Sequence, residues 1–137
     1  MSWFDYRESV ATAPAPSRVR MAGDIPRHRL GVETLLTQLQ HDELVAGIKS
    51  YKGKESAVLD FKATHPDLQA ALGAQYAEWQ QWWEFYVLEK DQVTAVEQKM
   101  ANPSPSAWTW TSQEEGAVST WKLAIDHLYD AITAATG

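Results

Sequence analysis

Four histidines and several nearby carboxylates are the residues of this chain that could carry acid–base or metal chemistry. No two histidines stand four residues apart, the spacing at which two imidazoles on one helical face share a metal ion. The chain has no cysteine, which excludes thiolate ligands and cysteine nucleophiles. We therefore predict no metal and no cofactor. The histidines are His28, His41, His65 and His127.

Two polar clusters come closest to a catalytic arrangement. His127 follows Asp126 and lies one helical turn from Asp130, a setting in which an imidazole can act as a base. Residues 41–43 read HDE, where capping of a helix explains the polar side chains more simply than catalysis does. No nucleophile elbow, phosphate-binding loop or dinucleotide fingerprint is present. The sequence thus predicts no catalytic residues and a protein that is not an enzyme.

Charge divides the chain into a basic front and an acidic back. Residues 1–62 hold nine lysines and arginines against eight carboxylates, whereas residues 63–137 hold three against ten, for net charges of +1 and −7. All five arginines lie in the first 29 residues. Such an asymmetry favours head-to-tail contacts between copies, or contact of the acidic part with a basic partner.

Residues 1–30 are predicted to form an extended N-terminal arm before a helical domain at residues 31–137. Pro14, Pro16 and Pro26 fix their own φ and push each preceding residue away from helix. We predict that the arm binds a protein partner through an aromatic anchor and a set of arginines. These residues are Trp3, Phe4, Tyr6, Arg18, Arg20, Arg27 and Arg29.

Nucleic acid is the weaker alternative partner for the arm. Its arginines would neutralise a few phosphates, but the acidic body would repel a polyanion. No apolar run reaches the roughly 20 residues that span a bilayer, and the first residues lack the apolar core of a secretion signal. We expect a soluble protein, cytoplasmic or part of an assembled particle, with protein partners and no membrane contact.

The elements that position these residues are predicted to be an all-α bundle of four to five helices. Residues 35–39 and 44–48 place their apolar side chains on opposite sides of one helical wheel. This predicts a break near His41–Asp42, with Asp42 as the N-cap of the second piece. The second piece is expected to end near Ser50–Gly53, and a short helix is expected at Glu55–Ala63.

A long helix is predicted from about Pro66, which suits a first helical turn, to Met100. The turn-rich residues 102–106, NPSPS, end it. Residues 107–111, AWTWT, are predicted to be a short strand or an irregular segment that closes two tryptophans over the core.

The last helix is predicted to open with a capping box between Ser112 and Glu115 and to end near Ala135. Apolar residues at three- and four-residue spacing give it one clean amphipathic stripe. The stripe consists of Val118, Trp121, Ile125, Leu128, Tyr129 and Ile132.

The long helix contains QYAEWQQWWEFYVLE at residues 75–89, with six aromatic rings in fifteen residues. Phe85 and Leu88 fall behind the main apolar arc, and Val96 falls close to Phe85. A helix that is apolar on two sides is either central in a bundle or covered by another subunit. Phe85 and Leu88 are therefore predicted to bind a partner. The main arc, of roughly 140°, contains Leu68, Leu72, Tyr76, Trp79, Trp82, Trp83, Tyr86, Val87 and Val93.

The absence of catalytic motifs, the arm and the two-faced helix together predict a structural or assembly subunit. Small capsid, connector and tail components of bacteriophage virions have this anatomy, which is a similarity of design and not of sequence. The alternative prediction is a small acidic inhibitor or immunity-type protein, whose acidic body would cover a basic site on its partner.

Overall fold

The computed structural model describes residues 33–137, so the predicted arm and its site residues from Trp3 to Arg29 lie outside the described part. Helices make up 84% of the described residues and three of them are long, which confirms the prediction of a mainly helical chain. The domain boundary near residue 30 and the total of four to five helices stay predictions. Within residues 33–137, every helix is too short or too polar to cross a bilayer.

The described elements follow one another with short connections. Two short strands accompany the helices, one before the first long helix and one before the last. Two 3₁₀ turns lie at Gly73–Gln75 and Pro105–Ala107. In chain order the elements are β1 (Thr34–Leu35), α1 (Gln38–Thr64), α2 (Leu68–Leu72), α3 (Tyr76–Met100), β2 (Thr109–Trp110) and α4 (Ser112–Thr136).

The first long helix, α1, is continuous over 27 residues. The predicted break at His41–Asp42, the end at Ser50–Gly53 and the separate helix at Glu55–Ala63 are therefore wrong. Asp42 is not an N-cap, because it lies inside the first turns of the helix.

Helix α1 begins after Thr37, whose hydroxyl accepts a hydrogen bond from the Gln40 backbone N–H at 3.2 Å. The Gln40 side chain accepts from the Thr37 N–H in return, at 2.9 Å, which completes a capping box. Leu35 and Leu36 consequently precede the helix. The apolar face looks divided in the sequence when Leu35 and Leu36 are counted as helical. Leu39 is helical, but it is 68% exposed and forms no second buried side.

The helix predicted from Pro66 to Met100 is interrupted near its start. Helix α2 ends at Gly73, whose φ of 56° lies in the left-handed region that glycine adopts without a steric penalty. Helix α3 then runs to Met100 as predicted. The apolar spacing conceals this break, because Leu72 and Trp79 stand seven residues apart and are both buried.

The capping box of α4 lies one residue earlier than predicted. The Thr111 hydroxyl accepts from the Glu114 N–H at 3.1 Å, and the Glu114 carboxylate accepts from the Thr111 N–H at 2.9 Å. The Ser112–Glu115 pair has the same spacing, but only Thr111 has the extended backbone that an N-cap requires. The predicted end of the helix near Ala135 is close to the observed end at Thr136.

The AWTWT segment was predicted to be a short strand or an irregular segment, and it contains a two-residue strand. Strands β1 and β2 pair antiparallel, with Thr34 opposite Trp110, and the Leu36 N–H donates to the Trp108 carbonyl oxygen at 3.0 Å. Trp108 and Trp110 are both buried. This small sheet ties the entry of α1 to the connector between α3 and α4.

The core follows a seven-residue repeat on two helices. Buried side chains recur on α3 at Trp79, Tyr86, Val93 and Met100, and on α4 at Ala117, Ala124 and Ala131. A seven-residue repeat is typical of helices that pack with a slight left-handed crossing. Alanines at the α4 positions let neighbouring helices approach closely. The Lys99–Glu114 ion pair and the hydrogen bond between His127 and Glu78 show that α3 and α4 run antiparallel.

Most of the predicted core faces of α3 and α4 are confirmed. Val87 and Tyr129 were predicted to be buried and Val96 was placed behind the core face, and these three assignments are wrong. Val87 is 43% exposed and Tyr129 of the α4 stripe is 36% exposed, whereas Val96 is buried. Each seven-residue step shifts a straight helical wheel by about 20°. The buried side of α3 therefore turns toward the Val96 position by the end of the helix.

Candidate protein-interaction site

The inner side of α3 packs its rings into the core. Trp79 is 2% exposed and stacks parallel to Trp83, with centroids 6.0 Å apart. The Tyr86 hydroxyl donates to the Glu55 carboxylate at 2.5 Å, and burial raises the pKa of Tyr86 above its usual value. The Tyr86 hydroxyl thus finds its hydrogen-bond partner in α1. The inner side of α3 is therefore covered by other residues of the same chain.

The flank of α3 next to α4 is held by a ring stack. Trp82 lies flat on His127, with centroids 4.1 Å apart and planes 5° apart. His127 Nδ1 donates to Glu78 at 3.1 Å. Asp126 turns away to α1, where it accepts from the Tyr51 hydroxyl at 2.8 Å.

Asp126 belongs instead to the seam between α1 and α4. It also accepts from Lys54 at 2.9 Å, and Lys54 lies 5.5 Å from the Tyr51 ring centroid. Burial and the Asp126 hydrogen bond raise the pKa of Tyr51 to about 12. A carboxylate engaged by two donors is placed to join two helices and is not paired with a histidine base.

The outer side of α3 carries apolar side chains that the described residues do not cover. Phe85 is 40% exposed and Leu88 is 71% exposed, and the Phe85 ring lies 5.3 Å from that of Trp82. The prediction that these two side chains lie outside the core face is confirmed. Their predicted role in binding a partner stays a prediction.

Helix α4 adds a leucine to the same side of the molecule. Leu123 is 48% exposed and stands one turn before His127, while Phe85 stands one turn after Trp82. Because the two helices run antiparallel, Leu123 and Phe85 extend in the same direction from the Trp82–His127 stack. We call Trp82, Phe85, Leu88 and Leu123 the outer patch.

Sequence reasoning missed Leu123 although a signal was present. Leu123 does not fit the apolar stripe of α4 and is a large apolar residue on an otherwise polar side. Its place one turn from the Trp82–His127 stack depends on the packing of α3 against α4, which no local pattern encodes.

Acidic side chains border the outer patch. Glu84 is exposed, and the Asp91 side chain is 92% exposed and lies 3.3 Å from Lys90. Partial burial raises the pKa of Glu89 above its usual value. The patch is therefore apolar with a rim that is negative overall, which suits a partner that combines apolar and basic groups.

His41 joins α1 to the end of α3. Its Nε2 donates to the Met100 carbonyl oxygen at 2.8 Å, and its Nδ1 lies 3.1 Å from the Asp42 carboxylate. The ring stacks on Trp108, with centroids 3.6 Å apart. Since both ring nitrogens face acceptors, only the imidazolium satisfies both. The Met100 hydrogen bond, with Asp42 as a second cause, raises the pKa of His41.

A groove of about 280 Å³ lies beside this histidine, between α1 and the end of α3. An ion pair of 3.0 Å between Lys52 and Glu97 crosses from one helix to the other. The groove is lined by His41, Val45, Ile48, Lys49, Lys52, Glu97, Met100 and Ala101.

The described histidines and carboxylates form no group of three that could hold a metal ion. Comparison with protein-family models, curated proteins and solved structures finds no match to the chain. The outer patch is therefore the most distinctive candidate for a functional site in the described part of the chain.

Proposed function

We propose that this chain is a non-enzymatic assembly subunit that contacts neighbouring copies through the outer patch and the basic N-terminal arm. A small component of a bacteriophage virion, in its capsid, connector or tail, is the setting that fits this anatomy. The observation that carries the proposal is the exposure of Phe85 and Leu88 on a helix whose inner side is already packed.

The exposed side chains support a contact surface because they are adjacent. Single exposed apolar residues are normal on protein surfaces and need no explanation, whereas contiguous ones mark interaction sites. Here Phe85 and Leu88 stand one helical turn apart, and Trp82 contacts Phe85. Full burial of a leucine or phenylalanine contributes about 1.5–3 kcal/mol, so covering both side chains favours association substantially.

Charge supports a head-to-tail arrangement of copies. The rim of the outer patch is negative, and the five arginines of the chain all lie in the predicted arm. An arm that extends from one copy to the acidic face of the next makes a contact between two different surfaces. Such contacts generate rings when the rotation closes and filaments when it does not.

The experiment is native mass measurement of the full chain over a range of protein concentrations. We expect an oligomer for the unmodified chain and a monomer for the double variant Phe85→Ser/Leu88→Ser. Leu59→Ser is the matched control, because Leu59 is 40% exposed like Phe85 but lies on α1. It should leave the oligomer unchanged. A shortened chain that lacks residues 1–30 tests the contribution of the arm in the same way.

A full chain that stays monomeric at high concentration would contradict the proposal. So would a double variant with the same mass as the unmodified chain. A monomer that instead binds a basic protein with strongly salt-dependent affinity would support the acidic inhibitor described above.

A further inference from the structure

The groove between α1 and α3 has an apolar floor that is open on one side. Ile48 and Met100 are each 2% exposed and form its base, while Val45 at its edge is 37% exposed. A volume of about 280 Å³ falls just below the range of about 300–1,000 Å³ that drug-sized ligands occupy. The groove therefore suits one or two side chains better than a cofactor. Methionine is adaptable and makes favourable contacts with aromatic rings.

The polar edge of the groove carries a cation that is not neutralised by its surroundings. Within residues 33–137, Lys49 forms no ion pair, whereas Lys52 is engaged by Glu97. The His41 imidazole is already engaged by Asp42 and by the Met100 carbonyl oxygen, so Lys49 is the cation left for an occupant. An occupant with an aromatic ring and an adjacent carboxylate would match both the floor and the edge.

The chain itself contains such a segment. Residues 3–6 read WFDY, in which Asp5 stands between aromatic residues. The chain enters the described part close to the groove, because the Leu36 N–H binds the Trp108 carbonyl oxygen and Trp108 stacks on His41.

The length of the predicted arm favours the groove of a neighbouring copy over that of the same copy. The 26 residues from 7 to 32 separate the WFDY segment from Glu33, and an extended proline-rich chain covers about 3.1 Å per residue, or about 80 Å in total. A compact domain of 105 residues has a radius of gyration of only about 13 Å. If the arm is extended, as the sequence predicts, it is long enough to reach a neighbouring copy.

We propose that the WFDY segment of one copy binds in the groove between α1 and α3 of a neighbouring copy. An aromatic ring rests on Ile48 and Met100, and Asp5 pairs with Lys49. The inference rests on the proposed assembly function and names the receptor site for the tip of the arm. It uses residues separate from the outer patch, whose α3 members lie at positions 82–88, whereas the groove is lined by positions 97–101.

The absence of cysteine makes disulfide cross-linking a direct test. Two full-length variants, Asp5→Cys and Lys49→Cys, are mixed in equal amounts and oxidised, and the linked peptides are identified by mass spectrometry. A disulfide requires Cα atoms about 4.4–6.8 Å apart, so only a seated segment forms it efficiently. Ala63→Cys replaces Lys49→Cys in the control, because Ala63 is also exposed on α1 but lies near its other end.

We expect about tenfold more product between positions 5 and 49 than between positions 5 and 63, because binding raises the local concentration of the thiol. Addition of Trp3→Ser/Phe4→Ser to the Asp5→Cys chain should remove this excess. In the double variant Asp5→Cys/Lys49→Cys, the link should join two chains.

Equal yields at positions 49 and 63, or links formed only within one chain, would overturn the inference. Native mass measurement of the same samples separates the two proposals. If oligomers depend on Phe85 and Leu88 but the disulfide yield at position 49 does not exceed that at position 63, the assembly function is supported and this receptor site is overturned. A monomer without cross-links would overturn both.

Discussion

The two sides of α3 differ in whether the rest of the chain covers them. On the inner side, Trp79 and Tyr86 are buried against the chain's own helices, and Tyr86 finds its hydrogen-bond partner in Glu55. On the outer side, Phe85 and Leu88 are exposed beside a negative rim. The number of aromatic rings in the helix therefore says little about function. The position of two side chains relative to the core distinguishes an ordinary core helix from a helix with a second contact surface.

This comparison separates stability from association. Side chains of the inner side should set the free energy of unfolding of a single copy. Side chains of the outer side should set the affinity between copies and leave the single copy unchanged. The variants below are ordered by the size of the expected effect.

Replacement of the innermost ring should have the largest effect. Trp79→Ala removes a buried indole and leaves a cavity, so we expect a loss of about 3–5 kcal/mol in the free energy of unfolding. Phe85→Ala, on the outer side, should change it by no more than about 0.5 kcal/mol. Urea unfolding at a low protein concentration measures both, because association would add stability by mass action. Equal losses in the two variants would break the distinction between the sides.

Removal of one hydroxyl tests whether the inner side is fixed by α1. Tyr86→Phe withdraws the donor at 2.5 Å from the Glu55 carboxylate, whose side chain is only 14% exposed. A hydrogen bond to a charged group contributes about 1.5–3 kcal/mol, and we expect a loss in that range. Tyr129→Phe on the exposed side of α4 is the control and should be close to neutral. An unchanged urea midpoint for Tyr86→Phe would show that Glu55 does not depend on this contact.

A change of pH should have the smallest effect on the free energy of unfolding, and it should not change the association between copies. The His41 pKa is raised above 6.5 by the Met100 carbonyl and Asp42, and the other neighbour of the ring, Trp108, is uncharged. A raised pKa stabilises the folded protein fully below the unfolded value of 6.5, and this contribution is lost as pH rises through the folded value. Urea midpoints should therefore fall as pH rises above 6.5 and through the raised pKa of His41.

His41→Gln should remove that pH dependence, and comparison of the two unfolding curves isolates the histidine. Phe85, Leu88 and Leu123 do not titrate, so the outer patch itself should not contribute to it. A pH dependence of equal size in His41→Gln would assign the effect to other groups.

The sequence predicted the parts of the fold that depend on a single local pattern. Helix α4 has one apolar stripe and one polar side, so its extent and most of its buried residues followed from periodicity. The position of Phe85 and Leu88 behind the core face of α3 followed from the same reasoning. For these residues the local pattern and the final packing agree.

The remaining features depend on contacts between distant residues. Leu35 looked helical but pairs with Thr109 in a strand, which moved the predicted start of α1. Val96 became buried because the core side rotates along α3. Leu123 and the groove at His41 arise only when separate helices meet, and the Trp82–His127 stack that places Leu123 joins residues 45 positions apart.

The most direct test of the account measures whether Leu88 becomes covered when copies associate. Leu88→Cys introduces the only thiol of the chain, and its reaction rate with a small thiol reagent is followed as protein concentration rises. We expect the rate to fall as oligomers form. The thiol of Leu39→Cys, in the first turn of α1 where Leu39 is 68% exposed, should react at a constant rate. A Leu88→Cys thiol that reacts equally fast at every concentration would contradict a contact through the outer side of α3.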